Sequence, residues 1–157
     1  MKAELINPFL NAVKNVIETM AQTKVTALKP KLKDNTVTYG EVTGIIGMAS
    51  ENIAGTMILS FSESCIIDIV ANMLMEEPKT KIDAEIVDAV GELTNMICGG
   101  AKADLAKLNH KFDLATPTMI VGKGVEISHF SNIPTIVIPF STEKGPFVVE
   151  AHLDEKK

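Results

Sequence analysis

Asp88, Glu92 and Asn95 are the residues whose types and spacing best suit joint chemistry in this chain. Successive helical residues turn by about 100°, so a carboxylate at 92 and a carboxamide at 95 share one helix face with Asp88. Ile86, Val90, Leu93 and Ile97 fall on the opposite face. That apolar face has to be buried, so Glu92 and Asn95 are expected to point outward as a pair able to meet a partner and hold a water. The stripe contains no serine, cysteine or histidine to act as nucleophile or ligand. Without further context, the same pair also reads as an ordinary solvated helix face.

Glycines flank the pair. Gly91 precedes Glu92, and Gly99 lies one turn beyond Asn95, followed by Gly100. Each glycine inside a helix costs about 1 kcal/mol relative to alanine. One explanation is that a partner's backbone comes close here and a side chain would block it. The other is that the glycines let the helix pack against the protein's own sheet.

The pattern Asp88-x-x-x-Glu92-x-x-Asn95, with Pro117 downstream, resembles the motif of the CheC/CheX/FliY family of chemotaxis phosphatases. Three further segments are similar to that family: Gly40-Glu41-Val42-Thr43-Gly44-Ile45-Ile46-Gly47, Ala54-Gly55-Thr56-Met57-Ile58-Leu59-Ser60-Phe61, and the run from Pro139 to Phe147. The resemblance covers nearly the whole chain. An internal comparison bears on the branch. Asn11-Ala12-Val13-Lys14-Asn15-Val16-Ile17-Glu18 matches the apolar frame of residues 88–95, with Asn15 and Glu18 where the second copy has Glu92 and Asn95. One intact motif resembles the single-site CheX branch.

That resemblance implies hydrolysis of the aspartyl phosphate of a phosphorylated CheY-type response regulator. In this reading Asn95 holds the attacking water and Glu92 docks on the regulator's active-site lysine. Asp88 supports the helix or the partner contact, and Gly91 and Gly99 clear room for the regulator's backbone. No cofactor of the protein's own is implied, because the receiver domain brings its Mg²⁺. CheX relatives dimerise, so a homodimer is compatible with the reading. The alternative is a non-catalytic adaptor that binds a receiver domain or a flagellar-switch component through the same helix. A small-molecule sensor has no polar constellation to support it.

Composition bounds the rest. At 157 residues the chain fits one domain, residues 1–157, with a core of its own. Hydrophobic residues make up 46% but aromatics only 4%, so the core must be aliphatic, with the eight methionines as filler rather than a binding surface. A net charge of −5 and no basic stripe with interleaved aromatics argue against nucleic acid. The one concentration of positive charge, Lys29 to Lys33, reads as a solvated loop. Lys2 is followed by Ala3-Glu4 rather than an apolar run, and the segment Cys65–Met75 is short and interrupted by Asp68 and Asn72. Neither a signal peptide nor a membrane span is therefore expected, which suits a cytoplasmic protein. Cys65 and Cys98 have no CxxC partner and read as free, buried thiols. His110, His129 and His152 lie far apart, without metal-ligand spacing.

Along the chain, Asn7-Pro8 reads as a helix start, with an apolar face from Phe9 to about residue 22. A loop around Pro30 follows, then a hairpin over residues 36–61 turning at Ser50-Glu51-Asn52. Ser62 is placed to cap a second helix to Met75. A third helix starts near Asp83 and runs towards Leu108, with Gly99-Gly100 near a bend. Strands are expected at 114–127, broken by Gly122-Lys123-Gly124, and at 135–139 and 146–153. Asp154 to Lys157 reads as a frayed tail. The order α-ββ-α-α-βββ predicts an α+β fold, a largely antiparallel sheet with helices on one face and two pseudo-twofold halves.

Overall fold

A computed structural model describes residues 3–129 and 131–155. In chain order the elements are α1 (Ala3–Met20), β1 (Thr26–Ala27), β2 (Lys31–Leu32), β3 (Val42–Ala49) and β4 (Ile53–Phe61). There follow α2 (Glu63–Leu74), α3 (Ala84–Ala106), β5 (Asp113–Leu114), β6 (Thr118–Val121), β7 (Ile136–Thr142) and β8 (Gly145–Glu155). The expectations placed on Lys2, Lys156 and Lys157 lie outside the described residues.

All the strand pairs are antiparallel, and the order is β1-β7-β8-β4-β3-β5, with β2 also on β7 and β6 also on β3. Two hairpins, β3–β4 and β7–β8, meet along β4 and β8. Each half of the chain runs helix, two short strands, hairpin. The short strands of each half pair with the hairpin of the other half, so the halves interlock about a pseudo-twofold with α2 between them. This is the α+β architecture expected from the sequence.

Register carries the core across the sheet. Val42, Phe61, Phe147 and Phe140 stand opposite one another, and the three rings stack with centroids 4.9 and 5.0 Å apart. Gly44, Leu59, Val149 and Ile138 form the next row on that face. These side chains join Phe9, Val13 and Ile17 of α1, Ile66 and Ile69 of α2, and Ile86, Val90, Leu93 and Ile97 of α3 in one buried cluster. The position of α3 is set at Gly44. A Cβ there would stand 2.2 Å from Thr94 Oγ1, so only glycine lets α3 lie directly on β3.

Several expectations need correction. The core is not purely aliphatic: Phe9, Phe61, Phe112, Phe140 and Phe147 are among its largest fully buried side chains. Helix α1 begins at Ala3, and Pro8 lies inside it rather than at its first position. Leu5, one turn before Phe9, is buried on the same face and extends the helix. Proline here removes one N–H, whose acceptor would have been the carbonyl of exposed Glu4. The segment around Pro30 contains β1 and β2 rather than only a loop. Lys33 is not simply solvated: its Nζ lies 2.8 Å from buried Glu150 and donates to the Val37 carbonyl. Burial raises the pKa of Glu150, and Lys33 pulls it partly back. The Ser62 side chain does not cap α2. Its hydroxyl donates to the Pro146 carbonyl, while Glu41 accepts from the Glu63 N–H at 2.8 Å. Gly99 and Gly100 lie within an uninterrupted helical span, and Asp154 and Glu155 belong to β8, paired with Ala54 and Ile53.

Candidate active site

The first turn of α3 is fixed by Asp83, whose side chain accepts from the Ile86 N–H at 3.0 Å. Lys79 bridges Asp83 and Glu85 at 2.8 and 2.9 Å, which holds Asp83 below the usual carboxylate range. From that start the helical period does what the sequence requires of it. Ile86, Val90, Leu93 and Ile97 are fully buried, and Asp88, Glu92 and Asn95 are exposed. Thr94, between the two polar positions, is buried and donates to the Val90 carbonyl at 2.7 Å, so it makes no demand on its neighbours. Among the described residues, the side chains of Asp88, Glu92 and Asn95 have no hydrogen-bond or ion-pair partner.

These side chains border a groove of about 400 Å³ between α3 and β6, lined by Asp88, Gly91, Glu92, Asn95, Met96, Pro117 and Met119. The motif's proline is thus brought from the loop before β6 to the helix that carries the other three positions. Gly99 lies outside the groove. Met96 and Met119 were missed by reading methionine as core filler. Met96 follows Glu92 by one helical turn, and Met119 is two residues past Pro117, which was the available signal. Of the described methionines, Met48 and Met57 are buried, whereas Met20 and Met75 are exposed.

The glycines divide between the two explanations. At Gly100 a Cβ would stand 3.2 Å from Ala12 Cβ, so that residue serves the close approach of α1 to α3. At Gly91 it would meet Met119 Sδ at 3.5 Å, an ordinary contact at the floor of the groove. At Gly99 it would meet nothing within 4 Å, so packing within this chain does not account for that glycine.

The remaining reactive side chains lie elsewhere. Cys65 and Cys98 are free and buried, and burial pushes their thiols up to about 11 and about 12, away from thiolate chemistry at neutral pH. His129 and His152 are distant in sequence but not in space: their rings stack 3.8 Å apart. Both are held below the usual histidine range, chiefly by burial, and His152 Nδ1 bonds Thr135 Oγ1 at 2.8 Å. His152 stands in register with Thr56, on the face of the sheet away from the helices.

Comparison with known proteins gives the class to which this fold belongs, a family of phosphatases. Residues 42–141 match the family described as "Chemotaxis phosphatase CheX". The CheY-P phosphatase CheX of Thermotoga maritima is 28% identical over 161 residues, covering 99% of this chain and 98% of that protein. A CheC-like superfamily protein from Shewanella sp. PV-4 superposes with a TM-score of 0.91 at 40% identity, covering 98% of this chain and 99% of the other. The chemotaxis protein CheX of Vibrio vulnificus gives 0.89 at 39% identity, with 97% and 100% covered. The chain belongs to the CheX family of chemotaxis phosphatases.

Proposed function

We propose that this protein hydrolyses the aspartyl phosphate of a phosphorylated CheY-type response regulator, using Glu92 and Asn95 of α3. The observation that carries the reading is the exposed, unpartnered Glu92/Asn95 pair beside the groove between α3 and β6. The Thermotoga relative, similar along nearly its whole length, is a CheY-P phosphatase.

The chemistry asks little of the phosphatase. An acyl phosphate is already activated, and the receiver domain supplies its own Mg²⁺ and lysine. What this chain must add is an oriented water in line with the scissile P–O bond. Asn95 suits that task, since a carboxamide accepts and donates hydrogen bonds without ionising. Attack by the held water breaks the bond to the aspartyl oxygen and releases inorganic phosphate and a free carboxylate, with no covalent intermediate on this chain. Glu92 docks on the receiver's lysine through a charge-assisted hydrogen bond. Asp88 supports the contact without entering the chemistry, and Gly91 and Gly99 leave room for the receiver's backbone. Among the described residues no helix is long and apolar enough to cross a membrane. A response-regulator substrate places the protein's work in the cytoplasm.

The test is phosphate release from a phosphorylated receiver in Mg²⁺, read together with binding. Glu92→Ala should weaken both, because it removes a docking contact and a positioning one. Binding that leaves the wild-type rate of phosphate loss unaccelerated would favour an adaptor instead.

A further inference from the structure

The polar rim of the groove is used by the reading above, but its apolar bed is not. Met119 stands in register with Gly44 of β3, which pairs with buried Leu59, so its side chain projects from β6 on the helix side of the sheet. There it is half-buried against the core, as Met96 is on α3. Met119 Sδ lies where a Cβ on Gly91 would touch it, and Pro117 also lines the groove. Two half-buried thioethers, a helical glycine and a proline thus form an apolar bed beneath three polar side chains, in a groove of about 400 Å³. An apolar floor beside polar side chains is the composition of a protein contact, and methionine adapts to side chains of different shapes.

We infer that this bed receives an apolar side chain of the receiver domain, presented beside its phosphorylated aspartate, and that Met96 and Met119 set the affinity for the receiver rather than the rate of the chemical step. The inference rests on the phosphatase reading and names what its groove holds. The occupant is a side chain of aliphatic or thioether type, since the side chains of Met96, Pro117 and Met119 offer no hydrogen-bond donor and no strong acceptor.

The experiment measures phosphate release by the full-length chain over a range of phosphorylated-receiver concentrations. Met119→Gln and Met96→Gln keep side-chain length but place an amide in the bed. Each should raise KM about fourfold or more, the loss expected for roughly one buried methylene, with kcat within about twofold of wild type. Met119→Leu should restore the wild-type KM. Thermal unfolding checks each variant, and Met96→Gln keeps the test open should Met119→Gln fail to fold. Wild-type KM in the glutamine variants, or a loss confined to kcat, would overturn the inference while leaving the phosphatase reading intact. A wild-type protein that leaves the phosphate in place would overturn that reading and this inference with it.

Discussion

Helices α1 and α3 carry the same apolar frame, and the turns that face solvent on them have diverged. On α3, Asp88, Glu92 and Asn95 are exposed and unpartnered beside a groove floored by Gly91 and Met119. On α1 the matching positions are Asn11, Asn15 and Glu18, also exposed, with Lys14 standing where α3 has Gly91. Glu18 is engaged within the chain, accepting from the Val25 N–H at 3.4 Å. The supporting elements are nevertheless duplicated. Pro30 immediately precedes β2 as Pro117 immediately precedes β6, and Leu32 and Met119 hold the second position of each strand. β2 lies on β7 as β6 lies on β3. The scaffold of the site therefore exists twice, and what distinguishes the halves is a few side chains: an opening glycine and the order of a carboxylate and a carboxamide.

Importing the α1 residue into α3 is the sharpest way to break that contrast. Gly91→Lys puts a long, charged side chain over the groove, and receiver-stimulated phosphate release should fall by about a hundredfold or more, as expected when docking geometry is lost. The helix itself should gain slightly, by up to about 1 kcal/mol, since lysine is a better helix former than glycine. A variant with raised Tm and lost turnover would separate the groove from the fold.

Gly44→Ala tests the seat of α3 rather than its face. The added methyl meets Thr94 Oγ1 at 2.2 Å, and Thr94 is stiff, buried and bonded to the Val90 carbonyl. Overpacking of this kind should cost about 1–3 kcal/mol, read as a lower midpoint in urea. Turnover should suffer as α3 shifts from β6. The Gly44→Ala/Thr94→Ala double substitution should recover part of the stability, because the nearest clashing atom is gone.

A smaller effect belongs to the far face of the sheet. His129 and His152 have folded-state pKa values below the ordinary value, so the unfolded chain binds their protons more readily. Their contribution to stability is present above about pH 6.5 and is lost as pH falls through the folded-state values. Urea midpoints should decline with acidification below that point, and His129→Gln should flatten the decline. The smallest effect is expected in α1, where Glu18→Ala removes one long backbone hydrogen bond. A loss of about 0.5–1.5 kcal/mol should appear in the same titration, with turnover unchanged.

How far this could be read from the sequence depends on where each determinant lies. Helix α3 was legible because its apolar period, its Asp83 cap and its polar stripe are all local. The β3–β4 hairpin was legible for the same reason, from strand-favouring residues on either side of Ser50-Glu51-Asn52, although its first strand begins at Val42 rather than at residue 36. The strands β1 and β2 were not, since two residues carry no pattern of their own and pair only because a neighbouring edge is there; the strand expected at 114–127 is instead the short pair β5 and β6, ending at Val121. Helix α1 begins about a turn before Asn7-Pro8, a good local start signal that the burial of Leu5 overrides. Lys33 and Glu150 are 117 residues apart, and no spacing rule joins them. The groove's apolar bed was missed for a related reason. Whether Met119 is core filler or contact surface depends on which side of an edge strand it faces and on how far α3 covers it.

The central claim is that one copy of this duplicated scaffold works, through the carboxamide at position 95. The most direct test is phosphate loss from a phosphorylated CheY-type receiver in Mg²⁺, compared among wild type, Asn95→Ala and Asn15→Ala. Wild type and Asn15→Ala should accelerate it equally, while Asn95→Ala binds the receiver yet leaves its phosphate to decay at the intrinsic rate. Full acceleration by Asn95→Ala, or an equal loss in Asn15→Ala, would contradict the assignment.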